Sequence, residues 1–377
     1  MPKIEKDKLL TSRGRELYEK VAGLFGHSFL LFVTCVSAAG ILFILLFMFR
    51  DALPFFREAG VTAFFENDAW YPTRAEPTFG ALGIFMSTAL VTFGACLVCV
   101  PMGVTAAVCL SDVLPFKARQ VIKPVIEILA AIPSVAYGFF ALIIFAPLLQ
   151  NSGGTILAGV LWVVAAPTAL IVSVVISEGV CNLLGEEARK VARPVTILVL
   201  LGAALYGIYR GGVRLTQLEI TSGVNALNAS LFLALMALPT VVSVCEDALS
   251  AVGREVREGS YALGATRAET MIRVVIPAAK GGILAAILLG VMRAVGETMV
   301  VVMAAGKATQ VPEPWYNLLS PVRPITATIA IEMAEVARGT THYHALFALA
   351  FILLLFSFAC NLISEWSVRR TRKKLGG

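Results

Sequence analysis

The sequence predicts an all-α integral membrane protein, a polytopic helical bundle with about eight transmembrane helices. Of its 377 residues, 58% are hydrophobic, whereas soluble domains are about 45–50% apolar. The apolar residues lie in runs long enough to cross a bilayer core of about 30 Å as helices. The alternating ten-residue segments typical of a membrane β-barrel are absent from the sequence. One late run contains two ionisable residues, Arg293 and Glu297, which is typical of a helix that lines a protein cavity or a solute path.

The apolar runs predict eight spans, and the charges of the loops predict their orientation. The predicted spans cover residues 28–50, 79–110, 125–148, 155–178, 194–210, 225–245, 279–306 and 343–366. A basic tail at 1–27, an outside loop at 51–78 and a basic tail at 367–377 complete the predicted organisation around a transmembrane domain at 79–366. Most of the 31 Lys and Arg residues lie in the two tails and in the loops after the second, fourth and sixth spans. The positive-inside rule therefore places both termini in the cytoplasm, which an even number of spans allows.

The seven cysteines do not predict a disulfide framework or a metal site. Cys96 and Cys99 form a CxxC pair, but they lie in an apolar span without a second pair of ligands. We therefore interpret the cysteines as small buried apolar side chains and predict no metal.

Two proline-containing segments predict broken helices beside the solute path. Residues 131–138 place Ser134 and Tyr137 next to a proline, and residues 238–240 place Thr240 next to another. Proline removes a backbone hydrogen bond, and such breaks are tolerated in membranes where protein or a water-filled cavity satisfies the freed groups. Ser134, Tyr137 and Thr240 are therefore candidate solute-path residues, although a kink that serves only packing would have the same sequence.

Arg293 and Glu297 are four residues apart, so on a continuous helix they share one face and can form an ion pair. One interpretation is a structural pair that fixes helix packing, although desolvation offsets most of the attraction in such pairs. The other is a guanidinium that binds a tetrahedral oxyanion through its fork of donors, with the glutamate orienting it. The physics of the residues leaves both interpretations open.

The polar segment 254–278 predicts a coupling loop. Five residues separate Glu258 from Gly264, and nine residues separate Gly264 from the run Val274-Val275-Ile276-Pro277. A short helix, a glycine turn and a second helix ended by proline would make a compact unit. This spacing resembles the EAA loop of ABC-importer permeases, with Gly259-Ser260 in place of the usual Ala-Ala. The resemblance implies contact with a cytoplasmic ATPase; the alternative is an ordinary solvated loop.

The chain has no nucleotide site of its own. The only approach to a phosphate-binding P-loop is Gly306-Lys307, which is followed by Ala308 and has Val301 at the position of the first glycine. We therefore predict that the chain is not an enzyme, has no catalytic residue and binds no cofactor. ATP and Mg²⁺ would be bound by a partner ATPase.

Four motifs resemble the permease subunits of phosphate-specific ABC importers of the PstC type. They are Arg293-Ala294-Val295-Gly296-Glu297-Thr298-Met299, Ala131–Gly138, Gly223–Ala229 and Thr326–Ala330. The resemblance covers roughly residues 79–366 and implies the type I ABC importer permease class, in a bacterial inner membrane. It also implies a second permease subunit of the PstA type, two PstB-type ATPases, a PstS-type phosphate-binding protein, and a role for Arg293 and Glu297 in phosphate transit. The family usually has six spans, so residues 155–210 resemble an inserted hydrophobic pair with a charged hinge at 185–193.

Two other functions remain as alternatives. An importer of another oxyanion, such as sulfate or molybdate, would use the same arginine chemistry. A membrane-embedded enzyme or a passive channel is disfavoured, because the three histidines lie outside the middle of the spans, no two acids pair within a span, and a channel needs no coupling loop.

Overall fold

The computed structural model describes residues 13–66, 69–181 and 186–374. Parts of the predicted tails at 1–27 and 367–377, and Gly185 of the predicted hinge, lie outside these residues. The helices are α1 (Arg13–Glu58), α2 (Ala63–Glu66), α3 (Leu82–Val108), α4 (Phe116–Ala131), α5 (Ser134–Phe140), α6 (Ala146–Cys181), α7 (Glu186–Thr216), α8 (Ala226–Ser250), α9 (Arg254–Ala262), α10 (Arg267–Thr270), α11 (Ile276–Val295), α12 (Met299–Ala304), α13 (Ile325–Glu332) and α14 (Thr341–Lys374). Single π-helical turns lie at Cys109–Val113, Ala141–Phe145 and Met271–Val275. Two short antiparallel strands, β1 (Trp70–Tyr71) and β2 (Thr78–Phe79), form the described β-structure, and the predicted all-α class is confirmed.

The described residues contain seven helical runs that are long and apolar enough to cross a membrane, rather than the eight predicted. The predicted third and fourth spans are joined, because Ser134–Gly179 is one continuous apolar run. Gly153 and Gly154 lie between the two predicted spans but make no turn. A Cβ on Gly154 would lie 2.5 Å from the carbonyl oxygen of Leu215, so these glycines allow α7 to approach while the helix continues.

Helices α6 and α7 form an antiparallel hairpin. Gly154, in the first part of α6, packs against Leu215 at the end of α7. Near the other end of α6, the Ser177 hydroxyl donates to the Arg193 carbonyl oxygen at 3.2 Å. The two ends of the hairpin therefore lie beside each other. A hairpin of this kind leaves the predicted sidedness of the helices before and after it unchanged, although the described residues contain an odd number of long helices.

The chain divides into two compact units. The smaller extends to Gly60 and includes Ala337–Ile352, and the larger comprises Val61–Val336 and the residues from Leu353 onward. Within the smaller unit, Nδ1 of His344 forms a 2.7 Å hydrogen bond with the Asp51 carbonyl oxygen. This contact ties the end of α1 to the start of α14.

The core of the larger unit is built from α3, α8 and α11, which pack through small residues. Val241 of α8 is fully buried. A Cβ added to Gly103 of α3 or to Gly290 of α11 would lie 2.7 or 2.6 Å from its methyl groups. Close approach at small residues is how transmembrane helices gain packing contacts. Helix α8 therefore lies between α3 and α11, and it positions the polar groups described below.

Candidate functional site

The first predicted break is present between α4 and α5, at Ile132 and Pro133. Pro133 has no N–H to donate to the carbonyl of Leu129, four residues earlier. The Tyr137 hydroxyl donates to that carbonyl oxygen instead, at 2.9 Å. The tyrosine thus satisfies the group freed by the proline, and this contact holds the phenol beside the break. Pro239, the second predicted break, lies inside α8, which continues through it as a helix.

A further break separates Arg293 from Glu297, and it corrects the predicted pairing. Helix α11 ends at Val295, Gly296 is its C-cap, and α12 begins only at Met299. Glu297 therefore lies beyond the helix that carries Arg293, and the four-residue spacing does not bring the two side chains together on one helix face. Among the residues that the structure describes, no ion pair joins them. The Glu297 side chain is half-buried.

Arg293 contacts Thr240 of α8 and acts electrostatically on Tyr137 of α5. Its side chain is exposed, and its guanidinium donates to the Thr240 hydroxyl at 3.4 Å. It also acts electrostatically on the Tyr137 phenol. The structure thus brings three of the five predicted solute-path residues together. Ser134, half-buried at the start of α5, forms no hydrogen bond with this group within the described ranges.

The backbone at the break between α11 and α12 is satisfied from the start of α13. The Thr326 hydroxyl, at the start of α13, donates to the Glu297 carbonyl oxygen at 2.7 Å. Residues 325–328 are buried, and the N–H of Ile325 donates to the Thr88 hydroxyl of α3 at 2.9 Å. The start of α13 therefore lies within the bundle, and its Thr326 satisfies a carbonyl at the break that lipid could not satisfy.

Residues 254–278, the predicted coupling loop, contain the glycine turn that the sequence predicts. Helix α9 carries Glu258 on an exposed surface and leads into Gly264, which has a φ of +85°. A Cβ on Gly264 would meet nothing within 4 Å, so the position requires glycine for its left-handed backbone rather than for space. The turn is followed by a capping box in which Thr266 and Glu269 satisfy each other's backbone N–H groups at the start of α10.

Pro277 does not end the second helix of the loop, so that expectation was wrong. It lies in the first turn of α11, where its missing N–H is tolerated. The π-helical turn immediately before it, in which the N–H of Ile276 donates to the Met271 carbonyl, lets the helix pass through the proline. Local π adjustments of this kind are a known way for membrane helices to accommodate proline.

Polar contacts fix the loop to the bundle and leave its tip free. Arg257 of α9 forms an ion pair with Asp112, in the π-helical turn that follows α3, and donates to the Leu249 carbonyl oxygen of α8 at 2.7 Å. The hydroxyls of Ser260 and Thr270 lie 2.9 Å apart. The tip residue, Leu263, is 91% exposed, and an exposed leucine beside charged groups is compatible with docking to a partner.

Comparison with known proteins identifies the family of the chain. The family model for the inner membrane component of binding-protein-dependent transport systems matches residues 99–373. The chain belongs to this family. Its members are ABC importer permeases, and with its apolar helices this chain is a multi-pass membrane protein.

Three relatives illustrate the similarity within the permease family. The Pasteurella multocida phosphate transport system permease protein PstC is 30% identical over 321 residues, covering 85% of this chain and 83% of the relative. The PstC protein of Mesorhizobium japonicum is 28% identical over 315 residues, which cover 83% of this chain and 80% of that protein. The probable ABC transporter permease protein YqgH of Bacillus subtilis is 26% identical over 371 residues, or 97% of this chain and 96% of the relative.

A buried ionic cluster at the end of α8 was not predicted from the sequence of this permease. The Glu246 carboxylate is 1% exposed and pairs with Arg119 and Lys123 of α4. Ser250, one turn further along α8, donates to it at 3.0 Å. The available signal was an acid directly after a predicted span and basic residues after another, but a solvated loop has the same composition.

Proposed function

We propose that this chain is a permease subunit of an ATP-driven phosphate importer in a bacterial inner membrane. It would form half of the translocation pore with a second permease subunit of the PstA type. Two PstB-type ATPases would bind ATP and Mg²⁺, and a PstS-type binding protein would deliver phosphate.

The observation that carries the proposal is the arrangement of Arg293 beside the break between α11 and α12. Its guanidinium is exposed, is hydrogen-bonded to a neutral hydroxyl rather than a carboxylate, and lies on an otherwise apolar span. An ionised group there is costly unless it faces a cavity. A guanidinium without a carboxylate partner keeps its fork of donors available for the oxygens of a tetrahedral anion.

The surrounding residues support weak, reversible binding. Thr240 contributes a single long contact, which orients the guanidinium without occupying all of its donors. Tyr137 uses its proton on the Leu129 carbonyl, so its oxygen remains an acceptor. The exposure of Arg293 in a single chain is what a half-site completed by a second subunit requires.

In the proposed cycle, ATP binding closes the two ATPases and moves the coupling loop. The helices attached to the loop would then expose Arg293 to the outer side, where phosphate arrives from the binding protein. Hydrolysis would reverse the movement and release phosphate to the cytoplasm. This chain contributes the path and the mechanical connection, and the hydrolysis belongs to its partners.

The test is uptake of labelled phosphate by vesicles that contain the complete transporter with Arg293→Gln. A charge-assisted hydrogen bond contributes about 1.5–3 kcal/mol, so uptake should fall by about tenfold or more. Arg293→Lys keeps the charge but loses the fork, and it should retain an intermediate rate. Assembly of the complex, checked by co-purification, should be unchanged in both variants.

Labelled sulfate and molybdate in the same vesicles test the identity of the solute. Wild-type uptake of either anion in preference to phosphate would identify an importer of another oxyanion. Undiminished phosphate uptake by Arg293→Gln would remove this residue from the path.

A further inference from the structure

We infer that Glu246 is a positioning residue that makes α4 move together with α8, so that displacement of the coupling loop reaches the phosphate path. The inference rests on the proposed function and concerns residues outside the path itself. It derives from three polar contacts that α8 makes at different depths, each with a different part of the molecule.

The first contact joins α8 to the coupling loop. Arg257 of α9 donates to the Leu249 carbonyl at 2.7 Å, in the last turn of the helix. The other terminal nitrogen of the same guanidinium forms an ion pair with Asp112. A displacement of α9 therefore acts directly on the end of α8.

The second contact is the buried cluster around Glu246, one turn from Leu249. Its carboxylate lies 2.6 Å from the Lys123 ammonium and is also paired with Arg119. A carboxylate that is 1% exposed has no water to replace these partners, and a buried charge that loses its partners is strongly unfavourable. Helix α4 must consequently follow Glu246.

Little else holds α4 to the bundle. None of its residues is buried, so apolar packing of its side chains contributes little to its position. The cluster is thus the main specific attachment of α4 to α8 along the described residues. A shift of α8 would leave α4 behind if this attachment were removed.

The third contact and the far end of α4 converge on the same arginine. Thr240 of α8 accepts from Arg293, and the Leu129 carbonyl at the end of α4 holds the Tyr137 phenol on which Arg293 acts. Thr240 and Leu249 are nine residues apart, about 14 Å along the helix. Helix α8 thus reaches the arginine directly, and through Glu246 and α4 it also reaches the tyrosine.

The experiment measures phosphate transported per ATP hydrolysed in vesicles containing the complete transporter. Glu246→Gln has the same shape without the charge, and we expect the ratio to fall by about fivefold or more while nucleotide hydrolysis continues. Asp247→Asn is the matched control, because Asp247 is the adjacent carboxylate, 3.7 Å from the same lysine but 72% exposed. It should leave the ratio unchanged, and Glu246→Asp should restore part of it. An unchanged ratio in Glu246→Gln, or an equal fall in Asp247→Asn, would overturn the inference.

A second measurement does not depend on the identity of the solute. Amide hydrogen exchange in residues 116–138 of the wild-type complex should differ between its nucleotide-free and ATP-trapped states, and Glu246→Gln should abolish this difference. Persistence of the difference in the variant would contradict the inference. Failure of the proposed function would instead appear in the wild type, as transport of another solute with the nucleotide-dependent exchange intact.

Should Glu246→Gln fail to assemble, Lys123→Met provides the decisive variant. Lys123 is partly exposed, and its removal leaves Glu246 paired with Arg119. Because Arg119 still joins α4 to Glu246, a smaller fall in coupling and a partial loss of the nucleotide-dependent exchange are expected. Wild-type values of both in Lys123→Met would reject the role of the cluster.

Discussion

The glycine turn of the coupling loop allows a test in which two substitutions of the same type should have opposite effects. Gly264 has a φ of +85°, and a methyl group at its Cβ position would have no other atom within 4 Å. The cost of Gly264→Ala therefore comes from the backbone alone, about 1–2 kcal/mol for a left-handed conformation. That cost should shift the equilibrium between the formed and the opened turn by roughly 5- to 30-fold.

Gly259 provides the matched control. It lies within α9, five residues earlier, and a Cβ there also meets nothing within 4 Å. Gly259→Ala should stabilise the helix by about 0.5–1 kcal/mol, because glycine loses more conformational freedom than alanine on entering a helix. The two variants thus add the same methyl group to the same loop with opposite expected signs.

The assay is amide hydrogen exchange of residues 254–270 in the purified chain in lipid nanodiscs. Protection should decrease in Gly264→Ala and increase in Gly259→Ala. Retention of an ATPase subunit during purification should weaken only in Gly264→Ala. Equal protection in Gly264→Ala and wild type, or a change of the same sign in both variants, would refute the argument that backbone conformation determines this turn.

Two further substitutions test the packing around the first helix break and the hairpin. Tyr137→Phe removes the donor to the carbonyl freed by the proline and should lower the free energy of unfolding by about 0.5–1.5 kcal/mol, whereas Tyr206→Phe on the exposed surface of α7 should leave the melting temperature unchanged; equal melting temperatures for both variants would contradict the role of the phenol. Gly223→Ala would place a Cβ 1.8 Å from the Ala146 carbonyl oxygen and should destabilise the chain by about 1–3 kcal/mol, whereas Gly207→Ala, with open space around it, should be neutral or stabilising. A thermal melt of Gly223→Ala that matches the wild type would show that the segment before α8 does not approach Ala146 at the start of α6 this closely.

Local chemistry allowed the sequence to predict the helical class, most of the spans and the glycine turn. Length and hydropathy determine whether a helix can cross a bilayer, because unsatisfied backbone groups are too costly in lipid. The turn at Gly264 was predictable because left-handed backbone is a property of the residue itself. The family resemblance came from short motifs, and the match over residues 99–373 confirms it.

The pairing of the charged residues was decided by tertiary contacts. Arg293 and Glu297 would share a face only if α11 continued, but it ends at Val295, and Thr326, from a distant segment, satisfies the carbonyl of Glu297 beyond that end. The guanidinium instead meets Thr240, 53 residues earlier in the chain. Spacing along the sequence cannot reveal such an exchange of partners, since the backbone groups at a helix end can be satisfied from any segment that folds nearby.

The sequence by itself therefore determined which segments are helical and apolar, and it determined the turn at Gly264. The tertiary structure decided where Pro277 and the glycines at 153–154 are tolerated without a break, and it buried Glu246 between α8 and α4. The physical reason is the same in each case. A proline, a glycine or a charge has a local preference, but its outcome depends on whether the packed neighbours supply a hydrogen bond, a close approach or a counter-charge.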